Sequence, residues 1–130
     1  MKIPTHIDAA GFQVRVDDLL NMPQPAFEGF VFRLSAFLLS EKSMGDGDAA
    51  SSFLHVLDTR ERSHPGSVAG IYERLLPAIG YVAGSQLRFD ADKNTYGDFA
   101  ARAAEIATLC HRDPDELTGE NQMLDPTDDA

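Results

Sequence analysis

The segment Asp90-Ala-Asp-Lys-Asn-Thr-Tyr-Gly-Asp98 places side-chain oxygens at alternating positions, Asp90, Asp92 and Asn94, with Asp98 following. These match the first, third, fifth and ninth places of a calcium-binding loop, where alternate residues of a tight turn aim oxygens at one hard cation. Two places disagree. Thr95 stands where the sharp turn needs glycine, and Ala101 stands where a bidentate glutamate should close the site. The sequence therefore favours a polar turn without metal, with Asn94 or Thr95 capping a following helix.

Arg60-Glu-Arg-Ser-His64 gathers two arginines, a serine and a histidine, and reads as a loop. An arginine can stabilise a phosphate and a histidine can protonate it, so a small hydrolase or nuclease-like enzyme is the alternative function for this chain. Asp58 and Glu61 offset that positive charge. The four histidines, His6, His55, His64 and His111, form no paired ligand motif, and Cys110-His111 alone falls far short of a zinc site. His55 reads as a structural histidine, and Cys110 as a core residue on an apolar helix face. Asp17-Asp18 suits a helix start. Gly45-Asp-Gly47 is too short to cradle a phosphate. No cofactor, metal or catalytic residue is expected.

Charge is the more informative feature. The 130 residues include 21 acids and 11 bases, a net charge of −10, and the sequence pI is about 4.6. Residues 113–130 hold seven of those acids and neither Lys nor Arg. Such a chain is not expected to bind nucleic acid, which is gripped by basic surfaces. No apolar run approaches the roughly 18 residues of a membrane span, and Met1-Lys2-Ile3-Pro4 leads into no signal-peptide core. One cysteine excludes an internal disulfide framework and fits a reducing cytoplasm.

The leading expectation is an acidic, cytoplasmic protein-binding module that sequesters or neutralises a basic protein, in the manner of an immunity protein, an antitoxin-like inhibitor or an effector chaperone. Its contact residues would be exposed acids at Asp46, Asp48, Asp58, Glu61, Asp113, Asp115 and Glu116, with Tyr72 and Tyr96 as aromatic anchors. Met123 and Leu124 could add a small apolar anchor. A homo-oligomeric structural subunit, paired through the apolar helix Phe27–Leu39, is the remaining class; monomer and homodimer stay open.

The elements that must position these residues follow from periodicity. The chain is long enough for one compact domain, with 43% hydrophobic and 25% charged residues. The fold class is a mainly α, single-domain bundle of four to five helices over residues 1–117, followed by a mobile acidic tail, 118–130. Phe12–Val16 and Leu87–Phe89 alternate with the period of strands and would form a two-stranded β-ribbon. Helices are expected at Val16–Asn21, Ala26–Ser40, Asp48–Thr59, from Ser67 to Ala83 with Pro77 inside, and Thr95–Cys110. Asp48 and Ser67 would serve as N-caps. The core would hold Phe27, Phe30, Val31, Leu34, Leu38, Leu57, Ile71, Leu75, Ile79, Phe99, Ala103 and Ile106.

Overall fold

The structure, a computed structural model, describes residues 5–9 and 11–111. It is mainly α with a small two-stranded sheet. The strands β1 (His6–Ala9) and β2 (Phe12–Arg15) pair antiparallel, with Ile7 opposite Val14. Six α-helical segments follow: α1 (Val16–Leu20), α2 (Gln24–Leu39), α3 (Gly47–Ser63), α4 (Tyr72–Gly84), α5 (Lys93–Tyr96) and α6 (Phe99–Cys110). Helix α6 packs against α3 and α4, α2 packs against α4, and α1 and β1 both lie on α3. All twelve expected core residues are buried in one continuous cluster.

The ribbon is corrected in one half. Phe12–Arg15 is a strand, but its partner is His6–Ala9, next to it in the chain. Gln86–Phe89 instead forms a 3-10 turn, with Asp90 closing it in the left-handed region at φ 53°. In a strand Leu87 and Phe89 would share a face. Here Phe89 is drawn fully into the core, and Leu87 is left 91% exposed.

Helix ends also moved, each for a local reason. Helix α3 is capped by Asp46, whose carboxylate accepts from Ala49 N at 3.0 Å, so Asp48 falls in the first turn and not at the cap. It runs on to Ser63, making Arg60–Ser63 helical rather than loop. Ser67 is not a cap, because its hydroxyl is engaged by Arg60; a 3-10 turn, Ala69–Ile71, leads into α4 at Tyr72. Helix α4 runs unbroken through Pro77. The expected Thr95–Cys110 helix is split at Gly97, whose φ of 79° is left-handed backbone that glycine adopts readily, and Asp98 caps α6 through Ala100 N. The acidic segment 118–130 lies outside the described residues.

Gly29 lies mid-way along α2 with nothing within 4 Å of where a Cβ would stand. Gly29→Ala should therefore stabilise the fold by about 0.5–1 kcal/mol, through the lower backbone entropy of alanine in the unfolded chain. Urea denaturation would report this as a higher midpoint at unchanged slope. A lower midpoint would mean that α2 has no room for the methyl group.

Candidate functional site

Two adjacent charges at the end of α3 are buried, Arg60 at 3% exposure and Glu61 at 6%. Arg60 Nε donates to Ser67 Oγ at 2.8 Å. Its Nη1 donates to Leu20 O at 3.0 Å, Met22 O at 2.8 Å and, more weakly, Leu19 O at 3.4 Å, and its Nη2 donates to Gln24 Oε1. The guanidinium carbon lies 4.4 Å from the Phe27 ring centroid. Glu61 accepts from Gly66 N, Val68 N and Ala69 N at 2.8–3.0 Å. The pair thus clamps both the α1–α2 connection and the turn before α4. Burial lowers the Arg60 pKa from its ordinary value. Glu61 was expected as an exposed contact acid; the three amides that draw it inward make it a structural residue instead.

The opposite end of α3 is assembled differently. Gly47 meets the 89–96 segment so closely that a Cβ would stand 3.0 Å from Phe89 O and 3.3 Å from both Ala91 Cβ and Tyr96 Cε2. Tyr96 Oη donates to Asp48 Oδ1 at 2.7 Å, and Gly45 N donates to Arg88 O at 2.9 Å. Arg88 reaches back to Ser43 Oγ and Ser40 O, each at 3.0 Å. Gln86 holds the turn from inside: its Nε2 donates to Ala91 O and Gly97 O, and its Oε1 accepts from Phe99 N. Arg102 fixes Tyr96 O and Ser51, tying α6 to α3 at this end.

These bonds hold two loops, 40–48 and 86–98, as one surface. On it Glu41, Asp48, Asp90 and Asp92 are exposed and Asp46 is half-buried. Met44 stands out at 66% exposure. Lys42 and Lys93 are exposed bases on the same segments. The arrangement presents an exposed apolar side chain and several carboxylates on a braced backbone.

Of the residues expected to contact a partner, Asp46, Asp48 and Tyr96 come together here. Asp58 does not: it is half-buried a few turns further along α3, where it pairs with Arg62. Tyr72 is buried at the start of α4, edge-on to His111 with ring centroids 4.9 Å apart. Burial, and then the nearby Cys110, raises the Tyr72 pKa. Asp113, Asp115 and Glu116 lie outside the described residues. The surface adds Glu41, Met44, Asp90 and Asp92, which the charge pattern alone does not single out. The run of Met44, Gly45 and Gly47 before a capped helix was their available signal.

The chain matches no protein-family model, no curated protein and no solved structure.

The Asp90–Asp98 segment carries its oxygens elsewhere. Asp92 accepts from Thr95 N and Thr95 Oγ1, and Asp98 caps α6 and lies 4.0 Å from Lys93 Nζ. The caps are thus Asp92 and Asp98, not Asn94 or Thr95. Among the described residues no cluster of three or more His, Cys, Asp or Glu could hold a metal ion, and no helix is long and apolar enough to cross a membrane. His64 is exposed at the end of α3, while Arg60 is committed to its clamp and Arg62 to Asp58. Cys110 is buried, and burial pushes its thiol pKa up to about 12, with Glu61 adding to the shift. Thiolate reactivity is suppressed in that setting.

His55 lines a small hollow with His6, Arg15 and Asp17. Burial lowers its pKa first, and Arg102 lowers it further against the opposing pull of Asp58. The unfolded chain then takes up a proton near pH 6.5 that the folded chain resists, so stability should fall as pH drops below about 6.5. Comparing denaturation midpoints of wild type and His55→Gln between pH 7 and pH 5 checks this. The variant should show a shallower loss, and equal slopes would assign the loss to other groups.

Proposed function

We propose that this protein is an acidic binding module that captures a basic protein and neutralises or sequesters it, as an immunity protein, an antitoxin-like inhibitor or an effector chaperone does. The observation that carries the reading is the braced surface of loops 40–48 and 86–98, on which Met44, Glu41, Asp48, Asp90 and Asp92 are all exposed. The net charge of −10 supports it at longer range. A field of that sign speeds encounter with a cationic partner, and a few desolvated anchors then hold the complex. Because Arg88 already bonds one loop to the other and Gln86 braces the second from inside, little ordering entropy is lost on docking.

The test is co-isolation of the tagged full-length chain from its native host at low and moderate salt, with retained proteins identified by mass spectrometry. One basic protein held near stoichiometric yield, and weakened by salt, is the expected result. Recovery of the tagged chain alone at both salts would contradict the proposal under those growth conditions.

A further inference from the structure

A cleft of about 770 Å³ lies at the C-terminal end of α3, away from the braced surface, with Gln24, Glu28, Arg60, Ser67 and Gly70 among its walls. That volume falls within the roughly 300–1,000 Å³ of small-molecule sites. Gly70 leaves the cleft open, since nothing lies within 4 Å of a Cβ built there. Met22 and Ile71 give it an apolar side.

Two opposite charges line this cleft without meeting a counterion. Arg60 is 3% exposed, and its acceptors are all neutral. Its Nη2 donates only to Gln24 Oε1, at 3.2 Å, so the other N–H of that nitrogen is unspent. Glu28 Oε2 accepts from Gln24 Nε2 at 2.8 Å, and Oε1 has no donor among the described residues. No ion pair joins Arg60 and Glu28 to each other or to any other described residue.

One side-chain amide positions both groups. Gln24 Oε1 accepts from Arg60 and from Ser67 Oγ, while Gln24 Nε2 donates to Glu28 and to Ser67 O. A guanidinium and a carboxylate are thereby fixed at opposite ends of a single amide, each with hydrogen-bonding capacity left.

From this arrangement we infer that the cleft binds a small zwitterion, an amino acid or a compound like one, whose carboxylate accepts from Arg60 Nη2 and whose ammonium donates to Glu28 Oε1. Charge selects this class. A simple anion is repelled by Glu28 and a simple cation by Arg60, whereas a ligand with both charges satisfies both groups through charge-assisted bonds. Its net charge of zero also makes it indifferent to the field of a chain that carries −10. The ligand's apolar part falls against Met22 and Ile71. The inference does not rest on the docking of a basic protein, which the opposite end of α3 would carry.

NMR titration of the isotopically labelled full-length chain tests it. Leucine carries its two charges close together, and δ-aminovalerate carries them further apart. Isocaproate and isoamylamine are leucine without its ammonium and without its carboxylate. Saturable shifts at the Gln24 side-chain amide, Gly66 and Gly70 are expected with leucine or δ-aminovalerate, at an affinity of about 1 mM or tighter. Both singly charged analogues should bind about tenfold or more weakly. Glu28→Gln can still accept from Gln24 and should weaken the zwitterion about tenfold. Gly70→Leu should abolish binding by filling the cleft, with the rest of the spectrum preserved because no neighbour is displaced. Arg60 is left in place because the fold depends on it. Shifts that grow linearly with every probe, or zwitterions bound no tighter than isocaproate and isoamylamine, would overturn the inference. So would an affinity that both variants leave unchanged.

Discussion

Arg60→Met should lower the stability of the protein by about 3–5 kcal/mol, the sum of several orphaned acceptors. The methionine keeps most of the apolar stem that lies against Phe27. It leaves Leu20 O, Met22 O and Ser67 Oγ without the donor that Arg60 supplies, while Gln24 Oε1 still accepts from Ser67 Oγ. An orphaned buried acceptor costs about 1–3 kcal/mol. The five acceptors that Arg60 meets are all neutral. Its charge is therefore offset by dipoles, so no unpaired acid is stranded when it is removed. Arg60→Lys should recover only part of the loss, because one ammonium cannot reach the end of α1, Gln24 and Ser67 together. Denaturation midpoints at constant slope give the number. A loss under about 1 kcal/mol would mean that water takes the place of the guanidinium and that the clamp is dispensable.

Neutralising the braced surface should have the largest effect on binding. In Glu41→Gln/Asp48→Asn/Asp90→Asn the side-chain shapes persist, asparagine can still accept from Tyr96 Oη, and it tolerates the left-handed backbone at position 90. Against the basic protein retained in co-isolation, the association rate at low salt should fall about tenfold or more, with the dissociation rate little changed. The difference should shrink as salt approaches physiological strength, where charges more than about 8 Å apart are largely screened. Met44→Ser should do the reverse, raising the dissociation rate while leaving association nearly intact. Surface plasmon resonance separates the two rates. Equal kinetics for wild type and the triple variant would remove these acids from the interface.

How legible this molecule was depends on what kind of signal each part carries. The long helices announced themselves because Phe27, Phe30, Val31, Leu34 and Leu38 repeat with helical spacing, and burial followed that spacing. The Gln86–Phe89 turn misled because two apolar residues separated by one polar residue look alike in a strand and a 3-10 turn. Only the pull of the core on Phe89 and the left-handed Asp90 decide between them. Arg60 and Glu61 were illegible as buried residues, since most of their partners are backbone groups, up to 41 residues away. In sequence, carbonyls and amides look the same everywhere. The braced surface was half legible: Asp46, Asp48 and Tyr96 were singled out, but their convergence with Asp90 depends on Arg88 joining two distant loops.

The most direct test of the central claim is amide hydrogen exchange on the full-length chain, alone and bound to the basic protein it retains. Docking on the braced surface predicts slowed exchange at residues 40–48 and 86–98, with the cleft formed by Gln24, Glu28, His64 and Gly70 unaffected. Protection confined to that cleft, or to the outward face of α4, would contradict the account and place the partner elsewhere on the molecule.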